Sequence, residues 1–348
     1  MSTDATSPAA PAGAAPPNPA APTRAAPPNL EMPGSRLEHF PAAFFAMVMG
    51  LAGLTIGWEK AQSVLGQHFP FVPWLIGGVS VLFVALAGVY VAKTIRYPAA
   101  VRAEVQHPVR IHFMPTMAIS LLLLAIVYLH TAPEASRWLW IAGSALQLGF
   151  TLFVFNAWMH HEHFQVQHMN PAWFIPAVGN VLVPVAGVPL GYDLVSWFFF
   201  SVGILLWPVL LTIVFYRVLF HQALPERLVP TLFILVAPPA VGFIAYVRLT
   251  GGLDVFAQIL YFSALFFTVV LATQATRFLR IRFYLSWWAY SFPLAAIAIA
   301  SMLMAEQTGR IGFLYLGFGL LTMLSGIVVL LLVQTARAVY ERGICLPE

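Results

Sequence analysis

Apolar residues in this chain come in long unbroken runs, and polar residues come in short clusters between them. The run SWFFFSVGILLWPVLLTIVFY at 196–216 carries no charge at all. A helix needs about 20 mostly apolar residues to cross the hydrocarbon core of a bilayer. Ten segments fit that description: 40–58, 71–92, 111–130, 138–158, 172–191, 194–216, 229–249, 255–276, 284–304 and 311–336. A membrane barrel would show alternating segments of about 10 residues instead. The pattern therefore predicts an all-α integral membrane protein with ten transmembrane helices.

Composition agrees. The chain is 60% hydrophobic and 9% charged, whereas a soluble domain carries about a quarter charged residues. Too little charge is present to clothe a soluble surface. Residues 1–36 differ from the rest: they are rich in Ala and Pro and lack an apolar core. They read as a disordered tail rather than a signal peptide. Residues 37–340 form the membrane domain, and 341–348 a short C-terminal tail.

The net charge of +4 says less about partners than about topology. Lys and Arg stand singly between apolar runs, so nucleic acid is not an expected partner; membrane lipid is. Of the 17 Lys and Arg, thirteen fall on one side of the ten-span arrangement, including Lys93, Arg96, Arg102, Arg217 and Arg280. Only Lys60, Arg137, Arg248 and Arg310 fall on the other. This bias puts both termini in the cytoplasm.

The odd-numbered spans share a mark, a proline close behind an aromatic residue. These are Phe40–Pro41, Phe113 with Pro115, Phe174 with Pro176, Phe233 with Pro238 and Pro239, and Phe292–Pro293. The spacing corresponds to one helical hairpin, so the chain reads as five repeated hairpins. Proline inside a helix removes a hydrogen bond and frees a carbonyl. In lipid that is tolerated where the backbone lines a cavity or packs on protein. The reading therefore puts five kinked helices inside, around a central path, and five straighter ones outside.

Chemistry-bearing residues are few. The stretch HHEHFQVQH holds His160, His161, Glu162, His163 and His168; it reads as a solvated loop, a pH sensor or a metal site. His112 lies close to Pro115 and is either a helix-end histidine or a proton-sensing group. Glu59 and Glu306 fall at span ends. The single cysteine, Cys345, excludes an internal disulfide and a cysteine metal site. There is no phosphate-binding loop and no nucleophile motif, so no catalytic residue, metal or cofactor is expected. Histidines at span ends rather than deep within spans argue against bound haem.

The segments HFPAAFFAMVMGLAGLTIGWEKA, HPVRIHFMPTMAIS, NPAWFIPAVGNVLVPVAGVPLG, TLFILVAPPAVGFIAY and SWWAYSFPLAAIAIAS carry a resemblance. The chain resembles the tellurite-resistance/dicarboxylate transporter family, which includes the slow-type anion channels of plant guard cells. The likeness covers roughly residues 37–340 and is nearest to the bacterial anion-channel branch. It implies five hairpins in quasi-fivefold symmetry around a central pore, a homotrimer with one pore per protomer, and a bacterial inner-membrane location. It also implies that Phe292 occludes the pore; Phe is used 28 times here, so nothing but the resemblance singles this one out. Phe44, Phe113, Phe174 and Phe233 become candidates for the same lining. The implied function is a passive channel for small monovalent anions such as chloride or nitrate. The alternative is a proton-coupled carrier of C4-dicarboxylate, sulfite or tellurite oxyanions. A path without fixed positive charge binds anions weakly enough to release them, with peptide N–H groups at helix starts as mild attractors.

Overall fold

The computed structural model describes residues 35–160, 164–341 and 343–345. Most of the expected N-terminal tail, the middle of the histidine cluster (His161, Glu162, His163) and the last three residues lie outside them. All regular structure among the described residues is helical. In chain order the α-helices are α1 (Phe45–Leu65), α2 (Val72–Arg96), α3 (Pro98–Gln106), α4 (Thr116–Val127), α5 (Pro133–His160), α6 (Phe174–Val178), α7 (Val183–Gly187), α8 (Asp193–Phe220), α9 (Ala237–Thr250), α10 (Val255–Ala272), α11 (Ala275–Phe278), α12 (Ser291–Thr308) and α13 (Ile311–Tyr340).

Nine helical segments among the described residues are long and apolar enough to cross a membrane. The fifth expected span, 172–191, differs. It is α6, a 3-10 turn over Gly179–Leu182, and α7. Three prolines punctuate it, Pro176, Pro184 and Pro189, and Pro171 stands just before it. Each lacks the N–H that an α-helix would use, so no long ladder forms.

The prolines of the repeat sit at helix starts, not at kinks in helix middles. Pro41 precedes the turn Ala42–Phe44, and Pro115 caps α4. Pro176, Pro238, Pro239 and Pro293 fall within the first turns of α6, α9 and α12. First-turn N–H groups have no partner inside any helix, so proline costs nothing there and fixes φ. In all five odd segments a 3-10 turn leads into the α-helix: Ala42–Phe44, Arg110–Phe113, Pro171–Trp173, Glu226–Leu235 and Leu285–Tyr290. The aromatic-then-proline mark is the signature of that junction.

These segments also form an inner layer. The membrane-crossing stretches containing α1, α4, α9 and α12 are 67–78% buried, against 17–33% for those of α2, α5, α8, α10 and α13. Helix α1 packs on α4, α4 on α7, α7 on α9, α9 on α12, and α12 back on α1. The 3-10 turns repeat that closed circuit. Each outer helix lies against two successive inner segments, as α10 does with α9 and α12, or α13 with α12 and α1. Large apolar side chains such as Trp74, Leu205 and Leu330 point outward from the outer helices, as contact with lipid requires.

Candidate functional site

A cavity lies inside the inner layer. Every inner segment contributes to its wall and no outer helix does. Ala46 and Met49 come from α1; Phe113, Thr116 and Ile119 from the start of α4; Ile234, Ala237, Pro238 and Val241 from the start of α9. The broken fifth segment gives Phe174, Ile175, Val178, Gly179, Val181 and Leu182, and the start of α12 gives Trp288, Ala289, Phe292 and Pro293.

The wall carries no ionisable side chain. Its one hydroxyl, on Thr116, donates to the Phe113 carbonyl (2.6 Å) and the Ala42 carbonyl (3.1 Å). The Trp288 indole N–H donates to Thr335 Oγ1 (3.0 Å). Five α-helix starts border the cavity, yet their first-turn N–H groups are largely taken by the preceding turns. Met117 N–H, for example, goes to Met114 and Ala240 N–H to Val236. What reaches the cavity is the field of aligned peptide dipoles, weakly positive at helix starts, not a set of bare donors.

Phe292 is half-buried and on the wall. Its seat depends on glycines of α1. A β-carbon on Gly50 would lie 2.2 Å from Ser291 Oγ, and one on Gly53 2.8 Å from Ala295 Cβ. Only glycine lets α12 come this near. Phe113 and Phe174 also line the cavity. Phe44 instead stacks on Phe40, centroids 4.5 Å apart, and Phe233 meets Tyr290 and Phe278 edge-on at 4.7 and 5.0 Å.

His112 is fully buried and away from the cavity wall. Its Nε2 accepts the Trp158 indole N–H at 3.0 Å, and its ring stacks on Trp173 at 4.8 Å. A ring nitrogen that accepts an indole N–H is unprotonated, so this imidazole is neutral. His160 and His168 make local contacts to Asn156 and Gln165. Among the described residues no three His, Cys, Asp or Glu side chains come together as metal ligands.

At the far ends of α1, α9 and α12 a second cavity is lined by Lys60, Arg248, Glu306 and Gln307. Lys60 pairs there with Glu306. At the opposite end lies a buried pair that sequence reasoning missed. Lys93 Nζ stands 2.6 Å from Glu104 Oε2 and donates to the Phe40 carbonyl at 2.8 Å. Glu104 Oε1 accepts the Ala42 N–H at 2.7 Å, so a carboxylate from α3 caps the first inner segment. A lysine at a span end and a glutamate in the next loop look like ordinary solvated charges in sequence. Only the fold buries them.

Two layers of apolar helices, the inner one enclosing a cavity without ionisable side chains, define a multi-pass membrane protein. The model of the SLAC1 family, described as voltage-dependent anion channels, matches residues 39–336. The chain belongs to this SLAC1/TehA family of channels and transporters. It is 32% identical to the S-type anion channel SLAH3 of Arabidopsis thaliana over 273 residues, 76% of this chain and 43% of the plant protein. It is 25% identical to an uncharacterized transporter of Methanocaldococcus jannaschii, covering 88% of this chain and 97% of that one. It is 29% identical to the tellurite resistance protein TehA homolog of Haemophilus influenzae, covering 74% and 79%. The chain spans about half the length of the first plant relatives, 43% of SLAH3 and 54% of SLAH2.

Proposed function

We propose that the protein is a passive channel for small monovalent anions of the chloride or nitrate kind, with its path through the central cavity and Phe292 as its gate. The observation that carries this reading is a cavity walled by all five inner segments without one ionisable side chain. Such a wall holds no anion tightly, and conduction needs exit to be as easy as entry. Selection then falls to dehydration and the weak field of the helix starts, which favours weakly hydrated anions. A phenylalanine ring on the wall closes a narrow path by exclusion and dewetting.

The same reading counts the broken fifth segment as a tenth crossing. The ten crossings pair as five helical hairpins in quasi-fivefold symmetry, and three protomers assemble with one pore each. The membrane is the bacterial inner membrane, with both termini cytoplasmic. The closed circuit of inner segments supports the symmetry, and the Lys and Arg bias supports the orientation.

A second reading, a proton-coupled carrier of tellurite, sulfite or C4-dicarboxylate oxyanions, is favoured by the likeness to a tellurite resistance protein. A coupled carrier needs a titratable group in the path, and the wall offers none. The test is anion flux into liposomes holding the wild-type protein or its Phe292→Ala variant. Electrogenic flux that rises in the variant supports a gated channel. Flux that moves protons with the anion supports the carrier.

A further inference from the structure

The fifth inner segment gives the cavity its longest stretch of wall, yet no continuous α-helix holds it there, since 3-10 turns interrupt it. A broken helix at membrane depth exposes its last carbonyls, and nothing in lipid can satisfy them. Helix α6 ends at Val178. The Gly179 N–H returns to the Phe174 carbonyl. The carbonyls of Ile175, Pro176 and Ala177 fall where the α-helix passes into the 3-10 turn Gly179–Leu182.

Three buried side chains meet them. Gln147 Nε2, from the outer helix α5, donates to Ile175 and Pro176, each at 3.3 Å. Thr151 Oγ1, one turn further along α5, donates to Pro176 at 2.7 Å. Asn180 Nδ2 donates to Ala177 at 2.7 Å and reaches Thr151 Oγ1 at 3.0 Å. Gln147 and Asn180 are fully buried and Thr151 is 4% exposed.

A second observation ties this group to the wall. A β-carbon on Gly179, which lines the cavity, would stand 2.9 Å from Gln147 Nε2. On the other side, one on Gly203 of α8 would stand 2.6 Å from Val181 Cγ1, another wall residue. The segment is clamped between the amide of α5 and the bare backbone of α8. Sliding it inward or outward changes the width of the cavity and breaks the bonds that Gln147 and Thr151 of α5 make to it.

We propose that Gln147, Thr151 and Asn180 are positioning residues that fix the fifth-segment wall and so set which anions pass. The proposal rests on the channel reading above. Polar donors are costly to keep buried among apolar helices unless each finds its acceptor; the Gln147 amide finds its acceptors on the wall segment, and Thr151 bonds the Pro176 carbonyl there besides the Gln147 carbonyl of its own helix. Thr151→Val keeps the shape and removes the donor; Thr151→Ser keeps the donor. Gln147→Met keeps the length and removes the amide.

The experiment measures relative anion permeability in planar bilayers or liposomes, comparing chloride with the larger, less hydrated nitrate and iodide. Thr151→Val and Gln147→Met are expected to shift the nitrate-to-chloride and iodide-to-chloride ratios severalfold. Thr151→Ser is expected to hold them at the wild-type values. A role in folding alone would lower the yield of protein and leave the ratios unchanged, so folded variants with unchanged ratios overturn the proposal. If the wild-type protein carries no anion current, the channel reading fails and the wall is read another way. A cysteine at Val178, in a Cys345→Ser background, is then labelled with a small thiol reagent. An altered labelling rate in Thr151→Val, restored in Thr151→Ser, supports the seat; equal rates in all three overturn it. If neither Thr151→Val nor Gln147→Met folds while Thr151→Ser does and behaves as wild type, the group is a folding element and the selectivity role is lost.

Discussion

Gly53 of α1 lies directly beneath Phe292 of α12: a β-carbon on this glycine would sit 3.5 Å from Cδ2 of the phenylalanine ring and 3.9 Å from its Cα. The position of the ring is therefore set by the absence of a side chain on the neighbouring helix. The contact that would close most tightly is with Ala295 Cβ, at 2.8 Å. Adding one methyl must push α12 away from α1 or turn the start of α12.

Gly53→Ala should therefore destabilise the protein by about 1–3 kcal/mol, the usual cost of overpacking a filled core. It should also alter anion flux, because the start of α12 carries Phe292, Trp288 and Pro293 into the cavity wall. A thermal-shift measurement in detergent, paired with liposome flux, reads both. Unchanged flux with reduced stability would mean that α1, rather than α12 and its ring, gives way.

The cavity wall predicts indifference to protons. No titratable group lines it, and His112 is held neutral in an aromatic box by Trp158 and Trp173. Anion flux should stay level between about pH 6 and pH 8, where an ordinary histidine titrates, and an imposed proton gradient should drive no uptake. His112→Phe keeps the stacking and leaves the buried Trp158 N–H without an acceptor. That should cost about 1–3 kcal/mol while flux per folded protein holds. Proton-driven uptake abolished by His112→Phe would establish the carrier instead.

The Lys93–Glu104 pair makes a prediction of stability. Both side chains are almost fully buried, at 3% and 4% exposure. Removing one partner strands the other charge, which costs about 3–5 kcal/mol. Lys93→Met alone should be strongly destabilising. Combining it with Glu104→Gln removes both charges and keeps an oxygen for the Ala42 N–H, so the double variant should recover much of the loss. Thermal unfolding of the wild type and the two variants tests this; a double variant no better than Lys93→Met would mean that the carboxylate, rather than the pair, holds the turn.

Topology is testable by labelling. In a Cys345→Ser background, an impermeant thiol reagent applied from outside should reach Gln307→Cys and miss Arg102→Cys until the cells are opened. The reverse pattern would invert the orientation taken from Lys and Arg.

How much of this was legible beforehand follows a physical line. Long apolar runs announce themselves because each is a local property, so nine crossings were readable within a few residues at most ends. The alternation of inner and outer segments was readable too, because the proline junction recurs in every odd segment. What the prolines do was not: a proline at a helix start and a proline in a kink look alike without the backbone. The fifth segment escaped for the same reason, since its composition is as apolar as a continuous helix. Phe44 and Phe233 pack on Phe40 and Tyr290 instead of joining the wall, and no sequence pattern states a side chain's direction. Glu104 reaches Ala42 across 62 residues, and no local pattern encodes a contact of that span. Gln147, Thr151 and Asn180 are single polar residues in apolar stretches, and that oddity was the one signal available for them.

Phe292 carries the sharpest prediction. Phe-to-Ala in a packed core costs about 3–5 kcal/mol. Here part of the ring faces the cavity rather than packed atoms, so fewer contacts are lost and the cost should fall below that range. Phe292→Ala should stay folded and conduct anions much faster than the wild type, because the ring no longer spans the path. Phe292→Leu should fall between them, since leucine refills part of the space. Cation leakage should rise little, because the remaining wall still excludes cations by dehydration. A parallel rise in anion and cation flux would indicate a disrupted fold rather than an opened gate. A folded Phe292→Ala protein with wild-type anion flux would place the gate elsewhere, with Phe113 and Phe174, the other two phenylalanines on the wall, next to be tested.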